Sequence, residues 1–307
     1  MKIIIAGGSG YIGTVLCDFY KDKASEIIIL SRRVEKTEAP IRTVLWDATT
    51  LGEWKHELEN ADMLVNLVGK SVNCRYTEEN KNEILRSRIA STHILGEAVQ
   101  QLKSPPSLWI QSSSATIYRH SIDLMMTEAE GEKGSNFSEN ACVKWENTFN
   151  TIPLSRTRGV ILRTSIVLGR RDGAFPRLMN LVRAGLGGQQ GSGEQFVSWI
   201  HERDFVNVIE WIRTHPTACG IYNCASMQPV TNKEFMNSLC KAMHVPFALP
   251  APEFLLRWGA KIIGTETELI LKSRKVYPER LLDHGFVFEF PDLKSALVDL
   301  CRRERKS

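Results

Sequence analysis

The sequence opens with KIIIAGGSGYIG at residues 2–13, a short apolar run followed at once by a cluster of glycines. The apolar run at residues 3–5 predicts a buried strand, and apolar residues at helical spacing from Ile12 onward predict a helix. Glycines between a strand and a helix leave backbone N–H groups open to an anion and let a pyrophosphate approach the chain. A tight turn without a ligand is the alternative. The position inside a β-α-β unit favours a dinucleotide-binding loop.

Apolar runs and amphipathic segments alternate through the first half of the chain. The predicted strands are 3–5, 26–30, 43–46, 63–68, 108–111 and 159–164, and the longest predicted helix covers about 78–102. This alternation predicts an α/β fold, a Rossmann-like doubly wound parallel sheet. The glycine-rich stretch at 184–195 predicts a mobile or ligand-facing loop. We expect residues 1–170 with 200–225 to form the nucleotide-binding domain, and 171–199 with 226–307 a smaller C-terminal substrate lobe.

Composition excludes several classes of protein. A net charge of +4 over 307 residues is too small to indicate a nucleic acid or a membrane surface as partner. The apolar run at residues 3–5 is too short for a signal peptide or a membrane span. Seven cysteines are scattered without a C-x-x-C pair, which is typical of reduced thiols and gives no metal site. We therefore expect a cytoplasmic protein without a metal; its oligomeric state is left open.

The end of the second predicted strand indicates which dinucleotide is bound. An NAD site places a carboxylate there to bond the ribose hydroxyls. This chain instead has Ser31, Arg32 and Arg33, a hydroxyl and two guanidinium groups that suit a 2′-phosphate. One of the two arginines is expected to be a plain surface residue. The pattern favours NADP(H) as the cofactor.

Further motifs resemble those of extended short-chain dehydrogenases/reductases. They are ADMLVNLVG (61–69), SRIAST (87–92), IQSSSATIY (110–118), GSGEQFVSWIHERD (191–204), PVTNKEF (229–235) and KVYPERLLDHGFVF (275–288). Within the NAD-dependent epimerase/dehydratase superfamily, the chain is most similar to the "epimerase family protein" branch, which carries a C-terminal domain of unknown function. Members of that branch largely lack an assigned substrate. The motifs run along nearly the whole chain.

The resemblance implies a set of cofactor residues. The glycine loop holds the pyrophosphate, Asp47 and Ala48 flank the adenine, and Leu67 begins the stretch that lines the cleft. Arg88 stands where such proteins often carry an asparagine. The expected cofactor site comprises Gly7, Ser9, Gly10, Tyr11, Ile12, Gly13, Ser31, Arg32, Arg33, Asp47, Leu67, Val68, Gly69 and Arg88.

The resemblance also implies a set of catalytic residues. Catalysis in the superfamily requires a serine or threonine at the end of strand five and a Tyr-x-x-x-Lys pair. Ser114 meets the first requirement. In the second, the lysine lowers the pKa of the tyrosine so that the phenol exchanges a proton during hydride transfer. Alignment on Lys144 puts Asn140 at the tyrosine position, and alignment on Glu146 puts Ser138 and Cys142 at the two positions. No alignment yields the pair, so ordinary dehydrogenase chemistry is in question.

A substitute proton carrier then has to come from elsewhere. Beside Ser114 and Lys144, the candidates are Tyr118 and His201, with packing under the loop and a structural histidine as their alternatives. Gln195 and Trp199 are candidate substrate contacts, although core packing also explains Trp199. Two classes of function stay open. One is an NADP(H)-dependent oxidoreductase or epimerase acting on a small polar molecule, and the other is a non-catalytic NADP(H)-binding sensor or assembly protein.

Overall fold

The structure is a computed structural model that describes residues 1–246, 248–254, 256 and 271–302. Its strands are β1 (Lys2–Ala6), β2 (Glu26–Ser31), β3 (Ile41–Leu45), β4 (Met63–Asn66), β5 (Leu108–Ser114), β6 (Met125–Met126), β7 (Arg158–Thr164), β8 (Ile166–Leu168), β9 (Phe196–Val197), β10 (Trp199–His201), β11 (Gly220–Cys224), β12 (Val230–Thr231) and β13 (Lys275–Val276). The described helices are α1 (Tyr11–Tyr20), α2 (Glu78–Gln101), α3 (Phe137–Asn150), α4 (Ala174–Arg183), α5 (Glu202–Thr214), α6 (Asn232–Ala242), α7 (Glu279–Asp283) and α8 (Leu293–Cys301). Over these ranges, none of the helices has both the length and the apolar character needed to span a bilayer.

Seven parallel strands form the central sheet, in the order β11-β7-β5-β4-β1-β2-β3. The chain builds the sheet from β1 outward in one direction and then returns to continue from β4 in the other. The order therefore reverses between β1 and β4, and ligands of such sheets bind outside the carboxyl ends of the strands at that reversal. The predicted doubly wound α/β fold is confirmed.

Both faces of the sheet are covered. One hydrophobic cluster includes Ile5, Leu16 and Ile209, and so packs α1 and α5 against the sheet. The cluster on the other face includes Ile4 and Leu95, from the sheet and from α2. Burial on both sides explains why the strands read as continuous apolar runs in the sequence.

A separate cluster holds the C-terminal part of the chain together. Phe175 from α4, Phe235 from α6 and Leu297 from α8 meet around Trp199. Helix α6 begins with a capping box formed by Thr231 and Glu234, as the spacing of the two residues predicts. Strand β11 returns to the sheet beside β7. The domain boundaries themselves stay a prediction, because residues 247, 255, 257–270 and 303–307 lie outside the described part.

Candidate functional site

A cavity of about 770 Å³ opens at the carboxyl ends of β1, β2 and β4, where the strand order reverses. Most of the predicted cofactor residues line it: Gly7, Ser9, Gly10, Ser31, Arg32, Asp47, Leu67, Val68 and Gly69. The predicted residues Tyr11, Ile12, Gly13, Arg33 and Arg88 are not part of its wall. The structure thus brings together residues that are up to 62 positions apart in the sequence, from Gly7 to Gly69.

The glycine loop forms the floor of this cavity. Gly7 has a φ of +75°, which favours glycine, and a Cβ there would lie 3.0 Å from a methyl group of Val68. Gly10 is the N-cap of α1 and offers no side-chain cap, so the N–H groups of the first turn are not occupied by a capping group. A Cβ on Gly13 would overlap the backbone of Gly8. Gly13 therefore serves the close packing of α1 on the loop, which explains its absence from the wall.

The two arginines after β2 are placed differently. Both side chains are exposed, and in the described part of the chain neither takes part in an ion pair. Arg32 lines the cavity and Arg33 does not. Ser31 is buried at the end of the strand, and its hydroxyl accepts a hydrogen bond of 3.3 Å from the Arg33 amide. Of the two guanidinium groups, only that of Arg32 belongs to the cavity wall.

Asp47 shapes the end of the cavity that adjoins β3. Its Oδ1 accepts hydrogen bonds from the amides of Thr49 and Thr50, at 2.8 and 2.9 Å, and its Oδ2 accepts one of 2.6 Å from the Thr50 hydroxyl. These bonds, that of the hydroxyl above all, lower the pKa of the carboxyl to about 2. The carboxylate is thus held by its own turn. The turn presents Ala48 and Thr49 to the cavity.

Helix α2 supplies residues of the cavity wall that the sequence analysis did not identify. Glu83 and Ser87 line the cavity, and Lys70, in the loop before the helix, forms an ion pair with Glu83. The Lys70 ammonium also donates a hydrogen bond of 2.8 Å to the side chain of Asn80. The spacing of 83, 87 and 90 along the helix is the signal that could have identified this face.

Ser114, the predicted catalytic serine, ends β5 and is half-buried. Its hydroxyl caps the short 3-10 turn Ala115–Ile117 by accepting a hydrogen bond of 3.2 Å from the Thr116 amide. It also donates one of 3.0 Å to the Thr116 hydroxyl. Ser114 is not part of the wall of the cavity. Its catalytic role stays a prediction.

Helix α3 shows which alignment of the missing pair faces the interior. Lys144 and Asn140 lie on the exposed face, whereas Ser138, Cys142 and Glu146 are buried. Residues two positions apart on a helix point to nearly opposite sides, so the alignment through Lys144 faces away from the buried residues. The catalytic role of Lys144 stays a prediction. Burial raises the pKa of the Cys142 thiol to about 12, which leaves it a poor nucleophile.

Tyr118 is fully buried and its hydroxyl is already engaged. It donates to the Asn223 side-chain oxygen at 2.7 Å and accepts from Nη1 of Arg163 at 2.9 Å. The Thr127 carbonyl oxygen, a second acceptor, lies 3.1 Å from the same hydroxyl. Burial raises the pKa of this phenol. The phenol is thus enclosed in a hydrogen-bond network, which favours packing under the loop. Its role as a proton carrier stays a prediction.

His201 is also enclosed. The side chain is 1% exposed, and its ring stacks on that of Phe290 with 3.8 Å between the ring centres. Its Nδ1 caps α5 by accepting a hydrogen bond of 3.1 Å from the Arg203 amide. Nε2 lies 3.2 Å from an Asp299 carboxylate oxygen. Burial lowers the pKa of His201 to about 4, against the opposing effect of that carboxylate. The predicted catalytic role of His201 is not supported, because the ring is enclosed at the junction of α5 and α8.

The two predicted substrate contacts are also enclosed. Trp199 is fully buried, and its Nε1 donates to the Gln228 carbonyl oxygen at 3.1 Å. Gln195 is 4% exposed, and its Nε2 donates to the Gln190 carbonyl oxygen at 2.8 Å. Trp199 belongs to the cluster with Phe175, Phe235 and Leu297, which supports core packing for this residue. In the described ranges, no group of three or more His, Cys, Asp or Glu side chains is arranged to hold a metal ion.

The neutral state of His201 predicts a pH effect on stability. The unfolded histidine, with a pKa of about 6.5, takes up a proton as the pH falls, whereas the folded one stays neutral down to about pH 4. We expect this residue to remove about 2 kcal/mol of stability between pH 7 and pH 5. The variant His201→Asn, which keeps a capping oxygen, should lack that loss.

Denaturant unfolding of both proteins at pH 7 and pH 5 measures this difference. Burial raises the pKa of Asp204 to about 6, so its protonation adds stability as the pH falls. This contribution is present in both proteins and cancels in the comparison. An identical pH dependence in the two proteins would contradict the assignment.

Comparison with known protein families agrees with this geometry. Residues 3–225 match the NAD dependent epimerase/dehydratase family, and residues 251–300 match a domain of unknown function, DUF1731. The first match covers the whole central sheet and the cavity.

Individual relatives are similar over their full length. The chain is 32% identical to epimerase family protein SDR39U1 of Bos taurus over 305 residues, which covers 98% of this chain and 99% of the relative. It is 31% identical to epimerase family protein YfhF of Bacillus subtilis over 300 residues, with 98% of each chain covered. A crystal structure of human SDR39U1 with NADPH superposes with a TM-score of 0.86 at 29% identity, covering 98% of this chain and 99% of that one.

Proposed function

Because this chain belongs to the NAD-dependent epimerase/dehydratase family, we propose that it binds NADPH in the cavity beside the glycine loop. The observation that carries the proposal is the position of Arg32, an exposed cation on the cavity wall at the end of β2. The similar human protein was crystallised with NADPH, which agrees with this choice of cofactor.

The residues of the cavity fit the parts of such a cofactor. Open N–H groups at the start of α1 suit a pyrophosphate, and the side chains of Ser31 and Arg32 suit a 2′-phosphate. Leu67 and Val68 supply the apolar surface on which a flat ring packs. The volume of about 770 Å³ lies within the usual range for cofactor sites.

The preference for NADPH over NADH tests the proposal. We expect the variant Arg32→Ala to lose the preference, with NADPH affinity falling about 10- to 100-fold because a charge-assisted hydrogen bond is removed. NADH affinity should stay nearly unchanged. Calorimetric titration of both nucleotides into wild type and variant measures this.

Arg33→Ala is the matched control, since Arg33 is also exposed but lies off the cavity wall. It should retain the preference. A wild-type protein that prefers NADH, or an equal loss in both variants, would refute the assignment of Arg32.

For the reaction, we propose an NADP(H)-dependent oxidoreductase or epimerase that acts on a small polar substrate in the cytoplasm. Bound NADPH supplies a hydride, and the chain would orient the reacting oxygen with Ser114 at the end of β5. The proposal assigns no proton-transfer role to α3, because none of the six tyrosines stands four residues before a lysine.

A non-catalytic NADPH-binding protein is the second candidate. It is favoured by the exposed position of Lys144 and by the enclosed hydroxyl of Tyr118, which leave hydride transfer without either expected partner. A screen for NADPH oxidation over carbonyl compounds and nucleotide sugars separates the two. Turnover by the wild type that is lost in the Ser114→Ala variant supports the enzyme. Tight NADPH binding without any turnover supports the non-catalytic protein.

A further inference from the structure

Arg88 occupies a position beside the cofactor cavity that its predicted role does not explain. It follows Ser87, a wall residue of α2, but is not itself part of the wall, and its guanidinium lies against Gly69. A Cβ at Gly69 would lie 3.1 Å from the guanidinium carbon. Nη1 donates to the carbonyl oxygens of Lys70 and Ile84, at 3.1 and 3.0 Å. These bonds fix the guanidinium between α2 and the loop that follows β4.

The remaining edge of this guanidinium has no partner. Among the described residues, neither Nε nor Nη2 of Arg88 makes a hydrogen bond, no carboxylate lies within ion-pairing distance, and neither atom is fully sealed from solvent. Arg163 shows the usual arrangement, since its Nε and Nη2 donate to the two carboxylate oxygens of Glu146 at 2.9 and 2.8 Å. In Arg88 the same pair of donors is left for a ligand.

The surroundings of Arg88 contain no compensating negative charge. The guanidinium carbon lies 5.0 Å from the ring centre of Trp145 on α3, and the titratable groups that act on the cation are Cys142 and Tyr76. Burial lowers the pKa of Arg88, which means that the enclosure works against its charge. Arg88 is half-buried, and a cation that is partly withdrawn from water is stabilised by an anion. The site is therefore electrostatically incomplete as the chain alone presents it.

We propose that Arg88 binds an anionic group of the substrate, a carboxylate or a phosphate, through its Nε and Nη2 edge. Two parallel donors on a planar guanidinium match two oxygens of such a group. The inference rests on the proposed function and adds to it a substrate class, a small anionic molecule held beside bound NADPH. The cofactor's own pyrophosphate is the other source of the same chemistry. The glycine loop already offers it N–H groups, and Arg88 does not line that cavity.

Inorganic phosphate, titrated calorimetrically into the NADPH-saturated protein at constant ionic strength, is the probe. We expect the wild type to bind one phosphate per chain and Arg88→Gln to bind it at least tenfold more weakly. Arg88→Lys keeps the charge but not the paired donors, so it should bind at an intermediate strength. Lys103→Gln is the matched control, since it removes one positive charge from an exposed residue beyond the end of α2. Its phosphate affinity should equal that of the wild type.

A parallel NADPH titration separates the sources of the anion. NADPH affinity of Arg88→Gln should stay within about threefold of the wild type. A more than tenfold loss of NADPH affinity would assign Arg88 to the cofactor and overturn the inference. The inference would also be overturned if the wild-type complex bound no phosphate, or if all four proteins bound phosphate equally well. Should Arg88→Gln not fold, the comparison of Arg88→Lys with wild type and Lys103→Gln decides. Failure of the wild type to bind NADPH would refute the proposed function itself, which is a distinct result.

Discussion

Replacement of Glu146 by alanine should lower the free energy of unfolding by about 3–5 kcal/mol, because the change leaves a buried charge unpaired. Glu146 and Arg163 form an ion pair at 2.8 Å, and each side chain is only 3% exposed. Glu146 also accepts a hydrogen bond of 2.6 Å from the Ser113 hydroxyl, and Arg163 donates to Tyr118. The truncation removes one charged member of a network that ties α3 to β5 and β7.

Urea-induced unfolding of wild type and variant measures this loss. The control is Glu132→Ala, which breaks the exposed ion pair of Glu132 with Arg119. Exposed pairs contribute little, so the control should cost less than about 1 kcal/mol. If both variants lost a similar free energy of unfolding, burial would not make the Glu146 ion pair costlier to break than an exposed one.

The sheet could be predicted closely because its strands are buried on both faces. The predicted strand at 26–30 corresponds to β2 (Glu26–Ser31), and the predicted strand at 159–164 to β7 (Arg158–Thr164). The predicted strand at 63–68 extends too far, since β4 ends at Asn66. Leu67 and Val68 continue the apolar run but line the cavity instead. Hydrophobicity alone does not distinguish an apolar residue that packs in a sheet from one that packs on a ligand.

The catalytic candidates were harder to place, because their surroundings come from distant parts of the chain. His201 has a side chain suited to proton transfer, but Phe290, 89 positions later, encloses its ring. Tyr118 is held by Asn223, 105 positions later. Neither contact leaves a local signal in the sequence. Burial by distant segments thus decides whether a titratable residue is structural or reactive.

One signal for α3 was present in the sequence. Cys142, Trp145 and Phe149 follow the spacing of one helix face, and all three are buried. Lys144 falls off that face and is exposed. Helical periodicity could therefore have separated the two alignments of the missing Tyr-Lys pair before the fold was known. It could not have shown that Arg88 of α2 approaches the same face of α3.

Replacement by alanine should affect stability strongly at one glycine of the loop and weakly at another. Gly13→Ala should lower the free energy of unfolding by about 3 kcal/mol or more, since its Cβ would overlap the Gly8 carbonyl group and no rotamer relieves a clash with backbone. At Gly10 a Cβ has only the Gly7 carbonyl oxygen near it, 4.0 Å away, and the φ of −85° suits alanine. Gly10→Ala should therefore cost less than about 1 kcal/mol of stability.

The two variants also separate folding from cofactor binding. Gly10 lines the cavity, so its added methyl group projects where we propose that the pyrophosphate approaches the backbone, and NADPH affinity should fall at least tenfold. Denaturant unfolding and calorimetric titration of NADPH, performed on both variants, test the pair. A stable Gly13→Ala protein would contradict the packing role of that glycine. A Gly10→Ala protein with wild-type affinity would place the pyrophosphate away from the start of α1, and the cavity would then hold the dinucleotide in another orientation.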